Sequence, residues 1–158
     1  DRVASLGLSW TPRVGRMRHL GVGMRLSDVR PADQRVDAVS GCLVLIPRRV
    51  LSTVGLFDED YFFSFEDLDL CLRVREAGWR ARYVPSVVVT HLKGQSSRRR
   101  PLRCTYEFYR AMMVFHWKHR ARDASPAVNI AVSAGIVCLG AVAIVRDRLR
   151  PPARRHVS

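Results

Sequence analysis

Glu66, Asp67 and Asp69 place three carboxylates within four residues, behind the aromatic run Tyr61-Phe62-Phe63 and ahead of a helical pattern that closes at Gly78. A carboxylate held at the mouth of a pocket can take a proton from a substrate hydroxyl. The same residues also read as a well-capped helix. Ser64 is a good N-cap, with Asp67 three residues on as the acid of a capping box. Acids in a first turn complement the helix dipole. Asp69 and Arg73, four apart, pair on one face. Leu68 and Leu72 with Cys71 predict a buried face, and Gly78 is a natural C′ residue. A general base and an N-terminal cap look alike in sequence, so the spacing leaves both readings open.

The elements that must position these acids lie on either side. Residues 36–46, Val-Asp-Ala-Val-Ser-Gly-Cys-Leu-Val-Leu-Ile, predict a buried strand bounded by Pro47. Gly41 within it points to a bulge or to a close approach by another group. Pro47 then opens a short helix over residues 47–54 that Gly55 closes. The loop 55–60 carries Asp58, Glu59 and Asp60, which as loop acids are simply solvated. Beyond Gly78, the β-branched run 87–90 predicts a strand, with Pro85 at its start or edge. His91 leaves that strand either as a structural histidine or as a ligand for metal or phosphate. Residues 93–100 form a basic loop containing Gln95, Ser96, Ser97 and Arg98. It is either a solvated charge run or a loop that closes over a diphosphate with arginine forks and backbone N–H groups. Residues 1–35, punctuated by glycines and by Pro12 and Pro31, predict loops and short strands on a surface.

Composition bounds the partners. The 158 residues suffice for one modest core. With 27 basic against 14 acidic residues the formal charge is +13, which favours anionic partners: nucleoside diphosphates, acidic lipid or nucleic acid. Cys42, Cys71, Cys104 and Cys138 form no CxxC pair, which argues against a zinc site and points to reduced thiols in a cytosolic compartment. The opening Asp1 and the lack of a signal-peptide pattern predict a start inside a larger protein.

Two further segments follow. Residues 103–122 interleave Tyr106, Phe108, Tyr109, Phe115 and Trp117 with basic residues. Such a helix packs on its domain, lies against a membrane interface, or binds nucleic acid. Residues 127–145 carry no charge over nineteen positions, near the minimum for crossing a bilayer core. They predict a spanning helix, a membrane-surface or re-entrant helix, or a buried soluble one. Ala131, Ser133, Ala134, Gly135, Gly140 and Ala141 would support close helix packing. Both flanks are basic, so the positive-inside rule sets no orientation. The arginine-rich tail 146–158 is expected to be disordered and to touch anionic lipid.

Taken in order, Val-Asp-Ala-Val-Ser-Gly-Cys-Leu-Val-Leu-Ile-Pro-Arg-Arg, Val-Gly-Leu-Phe-Asp-Glu-Asp-Tyr-Phe-Phe, Phe-Glu-Asp-Leu-Asp-Leu-Cys-Leu-Arg, Ala-Gly-Trp, Tyr-Val-Pro and Val-Thr-His resemble the acceptor half of family-two glycosyltransferases, in particular their bacterial rhamnosyltransferase-like branch. The resemblance implies an α/β fold: a partial GT-A (nucleotide-diphospho-sugar transferase) domain over residues 1–100. A packing helix over 101–125, a membrane-associating or transmembrane helix over 126–145 and the basic tail would follow. By the same resemblance Asp67 is the catalytic base of an inverting transfer and Glu66 positions the acceptor or the base. Gly41 and Cys42 line the floor of the site, and Asp58 and Glu59 stand near the acceptor entrance. His91 helps bind a divalent metal, Mg or Mn, on the donor diphosphate, while Arg73 orients the carboxylates. The implied partners are a nucleoside-diphosphate sugar and a lipid-linked or polysaccharide acceptor at the cytoplasmic face of the cell membrane. No Asp-x-Asp motif of the donor half precedes residue 36, and Asp67-Leu68-Asp69 belongs to the acceptor motif. The expectation is therefore a chain inactive by itself that needs its donor half. Gln95-Ser96-Ser97-Arg98 is followed by Arg99 instead of Trp, which leans toward addition of a single sugar. The alternatives are a basic nucleic-acid-binding module and an inactive, membrane-associated remnant.

Overall fold

The computed structural model describes residues 8–11, 16–29, 34–90 and 100–149. His91 and the loop residues Gln95, Ser96, Ser97 and Arg98 lie outside them, as does the tail beyond Leu149. The described residues mix helix and strand and cluster into two units, Asp1–Asp58 with Asp67–His91, and Glu59–Glu66 with Leu92–Ser158.

The first unit holds two small antiparallel sheets. Strand β1 (Leu8–Thr11) pairs with β2 (Arg16–His19), and β3 (Gln34–Val36) pairs with β4 (Ala81–Tyr83) in the register Gln34↔Tyr83 to Val36↔Ala81. Leu8 bridges to Ala38, and both are buried. Helix α1 (Arg48–Val54) starts after Pro47 and ends on Gly55, whose φ of 82° is the left-handed conformation that a β-carbon resists. Helix α2 (Glu66–Glu76) follows, and Gly78 at φ 85° lets the chain turn away from it.

Two expected strands are absent. Past Val36 the chain makes only the bridge at Ala38 and a turn at residues 41–42, and Leu43, Val44 and Leu45 are exposed. The run at 87–90 is likewise exposed and outside any strand. A strand needs a neighbour for its backbone groups, and neither run has one among the described residues. The start of α2 also differs from the expectation. Ser64 and Phe65 both have positive φ, 63° and 72°, so Ser64 does not cap the helix and the chain enters it through a left-handed elbow. For a bulky residue such as Phe65 that conformation costs about 1–2 kcal/mol. On α2 it is Asp69 and Leu70 that are fully buried, while Leu68, Cys71 and Leu72 are half-buried.

The second unit is a helical hairpin, α3 (Pro101–His119) and α4 (Pro126–Leu149), joined by a 3₁₀ turn at Ala121–Asp123. Residues 59–66 lie along α3. Phe65 packs its ring against Phe108 and Phe115 at 5.7 and 5.5 Å, and Arg103 stacks over Phe62 at 4.2 Å. Lys118 pairs with Asp60 at 2.6 Å, and Arg110 donates to the Asp60 carbonyl. The packing of Phe65 is what offsets its backbone strain. Helices α3 and α4 meet where Gly140 faces Tyr109, and a β-carbon at 140 would stand 3.1 Å from the ring. Gly140→Leu should force the helices apart and cost about 1–3 kcal/mol, as overpacking does. A lowered melting temperature for the helical signal checks this.

Candidate functional site

The first unit separates the two aspartates of Asp67-Leu68-Asp69. Asp67, in the first turn of α2, is half-buried, and each carboxylate oxygen has a backbone donor. Gly41 N–H donates to Oδ2 at 3.0 Å, and Leu68 N–H donates to Oδ1 at 2.8 Å. A β-carbon at Gly41 would lie 3.8 Å from the Asp67 β-carbon, so the turn at 41–42 rests directly on the acid. Cys42 adjoins it, exposed, with its sulfur 3.1 Å from Ser40 Oγ. Gly41 and Asp67 are 26 residues apart in the chain, and the structure brings them together.

Asp69, two residues on, points the other way in function. It is 1% exposed, and Arg73 grips Oδ2 through Nε at 2.8 Å and Nη2 at 2.7 Å. The same guanidinium donates from Nη1 to the Val54 carbonyl and from Nη2 to the Leu56 carbonyl at 2.9 Å. Arg73 therefore staples the end of α1 to α2 and uses Asp69 as its counter-ion. A proton acceptor must be reachable; Asp67 meets that condition and Asp69 does not.

The remaining expected residues are placed as follows. Asp58 is half-buried at the end of the loop that Arg73 holds, and Glu59 is exposed. Glu66 opens α2, with Oε2 shut off from solvent. His91 and residues 95–98 are outside the described residues. Asp67-Leu68-Asp69 is not the only Asp-x-Asp in the chain: Asp58-Glu59-Asp60 has the same spacing. Its second acid is the one paired with Lys118. Among the described residues no group of three His, Cys, Asp or Glu side chains could hold a metal ion. The described residues by themselves do not make a divalent-cation site.

An open cavity of about 320 Å³ in the first unit is lined by Leu8, Arg35, Cys71, Arg75, Trp79 and neighbouring residues. Neither Asp67 nor Gly41 lines it, so the candidate base is not identified by cavity size. Burial pushes the Cys71 thiol up, and the nearby charge of Asp67 adds to the rise. The thiolate is the reactive form. Alkylation followed by mass spectrometry should therefore modify exposed Cys42 first, and Cys71 only above the ordinary thiol range or on unfolding.

This geometry falls inside a family match. Residues 5–108 fit the family described as glycosyltransferase like family 2. The chain belongs to that family. Over 77 residues it is 42% identical to the N-acetylglucosaminyl-diphospho-decaprenol L-rhamnosyltransferase of Mycobacterium tuberculosis, covering 49% of this chain and 25% of that protein. It is 37% identical over 67 residues to the rhamnosyltransferase WbbL of Escherichia coli, covering 42% of this chain and 25% of that protein. Over 72 residues it is 39% identical to the pre-mycofactocin glycosyltransferase of Mycobacterium tuberculosis, covering 46% of this chain and 15% of that protein. The chain thus spans a quarter or less of the length of these relatives. No solved structure matches it.

Proposed function

We propose that this chain is the acceptor-side portion of an inverting glycosyltransferase with a GT-A type fold, and that Asp67 is its general base. The observation that carries the reading is the half-buried Asp67 carboxylate, tied by Gly41 N–H and Leu68 N–H in the first unit. A carboxylate oxygen accepts more than one hydrogen bond, so each keeps room for an acceptor hydroxyl. In the reaction the acceptor oxygen attacks the anomeric carbon from the face opposite the leaving group. The bond from that carbon to the diphosphate breaks, the diphosphate leaves with the electron pair, and Asp67 takes the hydroxyl proton. Single displacement inverts the anomeric configuration.

The relatives' names support transfer of rhamnose to a lipid-linked acceptor; a nucleoside-diphosphate donor and work at the cytoplasmic face of the membrane belong to the same proposal. The exposed runs at 43–45 and 87–89 have strand composition and no strand partner among the described residues. On this reading the donor diphosphate is held outside the described site, and the chain alone does not turn over. The test joins the chain to a donor-binding half and offers nucleoside-diphosphate rhamnose with a polyprenyl-diphosphate-linked sugar. Transfer with inverted configuration, seen by NMR of the product, is expected. Retention of configuration, or undiminished transfer by the Asp67→Asn variant, would overturn the reading.

A further inference from the structure

Helix α4 is inside out. Its most covered positions, Asn129, Ser133, Ile136, Gly140, Ala143 and Asp147, recur at spacings of four and three, the seam of a two-helix coil facing α3. That seam is small or polar at all but one place. Two of its three polar members are used: His116 Nε2 lies 3.0 Å from Asn129 Oδ1, Asn129 Nδ2 donates to the Ala121 carbonyl at 2.9 Å, and Thr105 Oγ1 donates to Asp147 Oδ2 at 2.7 Å. The rest of the circumference is apolar and bare, with Ile130 70%, Val137 62%, Leu139 59%, Val142 65% and Val145 55% exposed. A helix that buries its polar side chains and exposes its aliphatic ones is solvated by hydrocarbon, not by water.

At 24 residues α4 is about 36 Å long, enough to cross a hydrocarbon core of about 30 Å. Its partner decides otherwise. Helix α3 contacts α4 from Thr105 opposite Asp147, through Tyr109 at Gly140, to His116 opposite Asn129. Whatever depth α4 takes, α3 follows with Arg103, Glu107, Arg110 and Lys118, and with the Asp60 segment that Arg110 and Lys118 hold. Each such charge costs about 2.5–3.5 kcal/mol at the centre of a spanning helix. Laid in the plane of one leaflet, α4 meets the acyl chains while α3 stays on its water side, and none of those charges is submerged. The arginines agree. Arg122 lies before α4, Arg146 and Arg148 are in its last turn, and all three are exposed. An in-plane helix puts both clusters among the headgroups of a single anionic leaflet, where each basic residue gains about 1 kcal/mol. A spanning helix puts one cluster on the far side.

The geometry points to α4 as an in-plane anchor, sunk into one leaflet of an anionic bilayer with α3 riding above it. This deepens the membrane reading under the proposed function and rests on it. The probe is the full chain bound to vesicles of equal parts phosphatidylcholine and phosphatidylglycerol. In a background with Cys42 and Cys138 replaced by Ala, single Ile130→Cys, Val137→Cys and Val145→Cys variants carry a polarity-sensitive fluorophore. Lipids brominated at different acyl depths quench it. Residues 130 and 145 are about 22 Å apart along the axis, so the two poses differ clearly. Equal, shallow quenching at all three positions is expected. Deep quenching at 137 with shallow signals at 130 and 145 would overturn the in-plane pose and leave membrane attachment standing. No quenching at any position, with the chain remaining in solution alone or as a dimer through this face, would overturn membrane attachment itself. Far-ultraviolet circular dichroism of each variant confirms the helices, and flotation of the unlabelled wild-type chain gives an independent reading of attachment.

Discussion

Asp67→Asn, made in the transferase carrying both halves of the site, should lower kcat by about 10²–10⁴-fold, the range a general base contributes. The substitution removes the proton acceptor while sparing most of what holds the side chain. The Asn oxygen can still take the Gly41 or the Leu68 N–H. Helix α2 keeps Asp69, Arg73 and Leu70, so the melting temperature should move by little. KM for the acceptor should change less than kcat, because the hydroxyl can still hydrogen-bond to the amide. Raising the pH should not rescue the variant, since the amide does not titrate. A different pattern would speak for the helix-cap reading of the same residue. If Asp67 only closes its helix, Asn, itself a good N-terminal residue, should leave both kcat and melting temperature near their wild-type values. The two readings of residue 67, indistinguishable in sequence, thus separate in one comparison of rate with stability.

How much of this was legible in the sequence depended on how local the physics was. Helix α1 between Pro47 and Gly55, the end of α2 near Gly78, and the Asp69–Arg73 pair each rest on interactions within one or two turns, and all three were readable. The long helices α3 and α4 were readable for the same reason. The strand expected at 36–46 was not realised because β-branched and leucine-rich composition states a preference but supplies no hydrogen-bonding neighbour. Within it only Val36, paired with β4, and Ala38, bridged to Leu8, find one. The run at 87–90 fails in the same way. The Ser64–Phe65 elbow had no signal at all, since neither residue is glycine. It exists because Phe65 is gripped by Phe108 and Phe115, more than forty residues away. In the candidate site, motif order singled out Asp67 and Gly41, and the 3.0 Å contact gives that pairing its physical form. The difference in environment between Asp67 and Asp69 came only from burial, because one acid is nearly sealed and the other is not. On α4 composition predicted the helix and not its faces. Nineteen uncharged residues announce an apolar helix, but which of them face α3 is set by the partner.

Asp69→Ala should have the largest effect on stability in the first unit, about 1–3 kcal/mol, because it removes the buried acceptor that holds the half-buried Arg73 in place. Against a typical total of about 5–15 kcal/mol for a domain, that is a large share of what keeps it folded. The loss goes beyond one ion pair. Arg73 also donates to the Val54 and Leu56 carbonyls, which lie either side of Gly55. A guanidinium released from Asp69 is free to swing toward water, and with it goes the staple between α1 and α2. Arg73→Ala should therefore destabilise by a similar amount, and Arg73→Lys should rescue little, since a single ammonium cannot reach an acid and two carbonyls in one plane. The double variant Asp69→Ala with Arg73→Ala settles the origin of the effect. If the pair acts as a unit, the two losses will not add, and a coupling of about 0.5–3 kcal/mol will appear in the cycle. Denaturant melts of the four proteins measure it. Additive losses would mean that Asp69 and Arg73 stabilise α2 independently, and that the loop leading to Asp58 is positioned by something other than this clamp. Activity gives a second axis to the same experiment. Asp69→Ala should reduce kcat only through the fraction unfolded, so cooling the assay should restore it, whereas the Asp67→Asn enzyme should remain slow at every temperature at which it is folded.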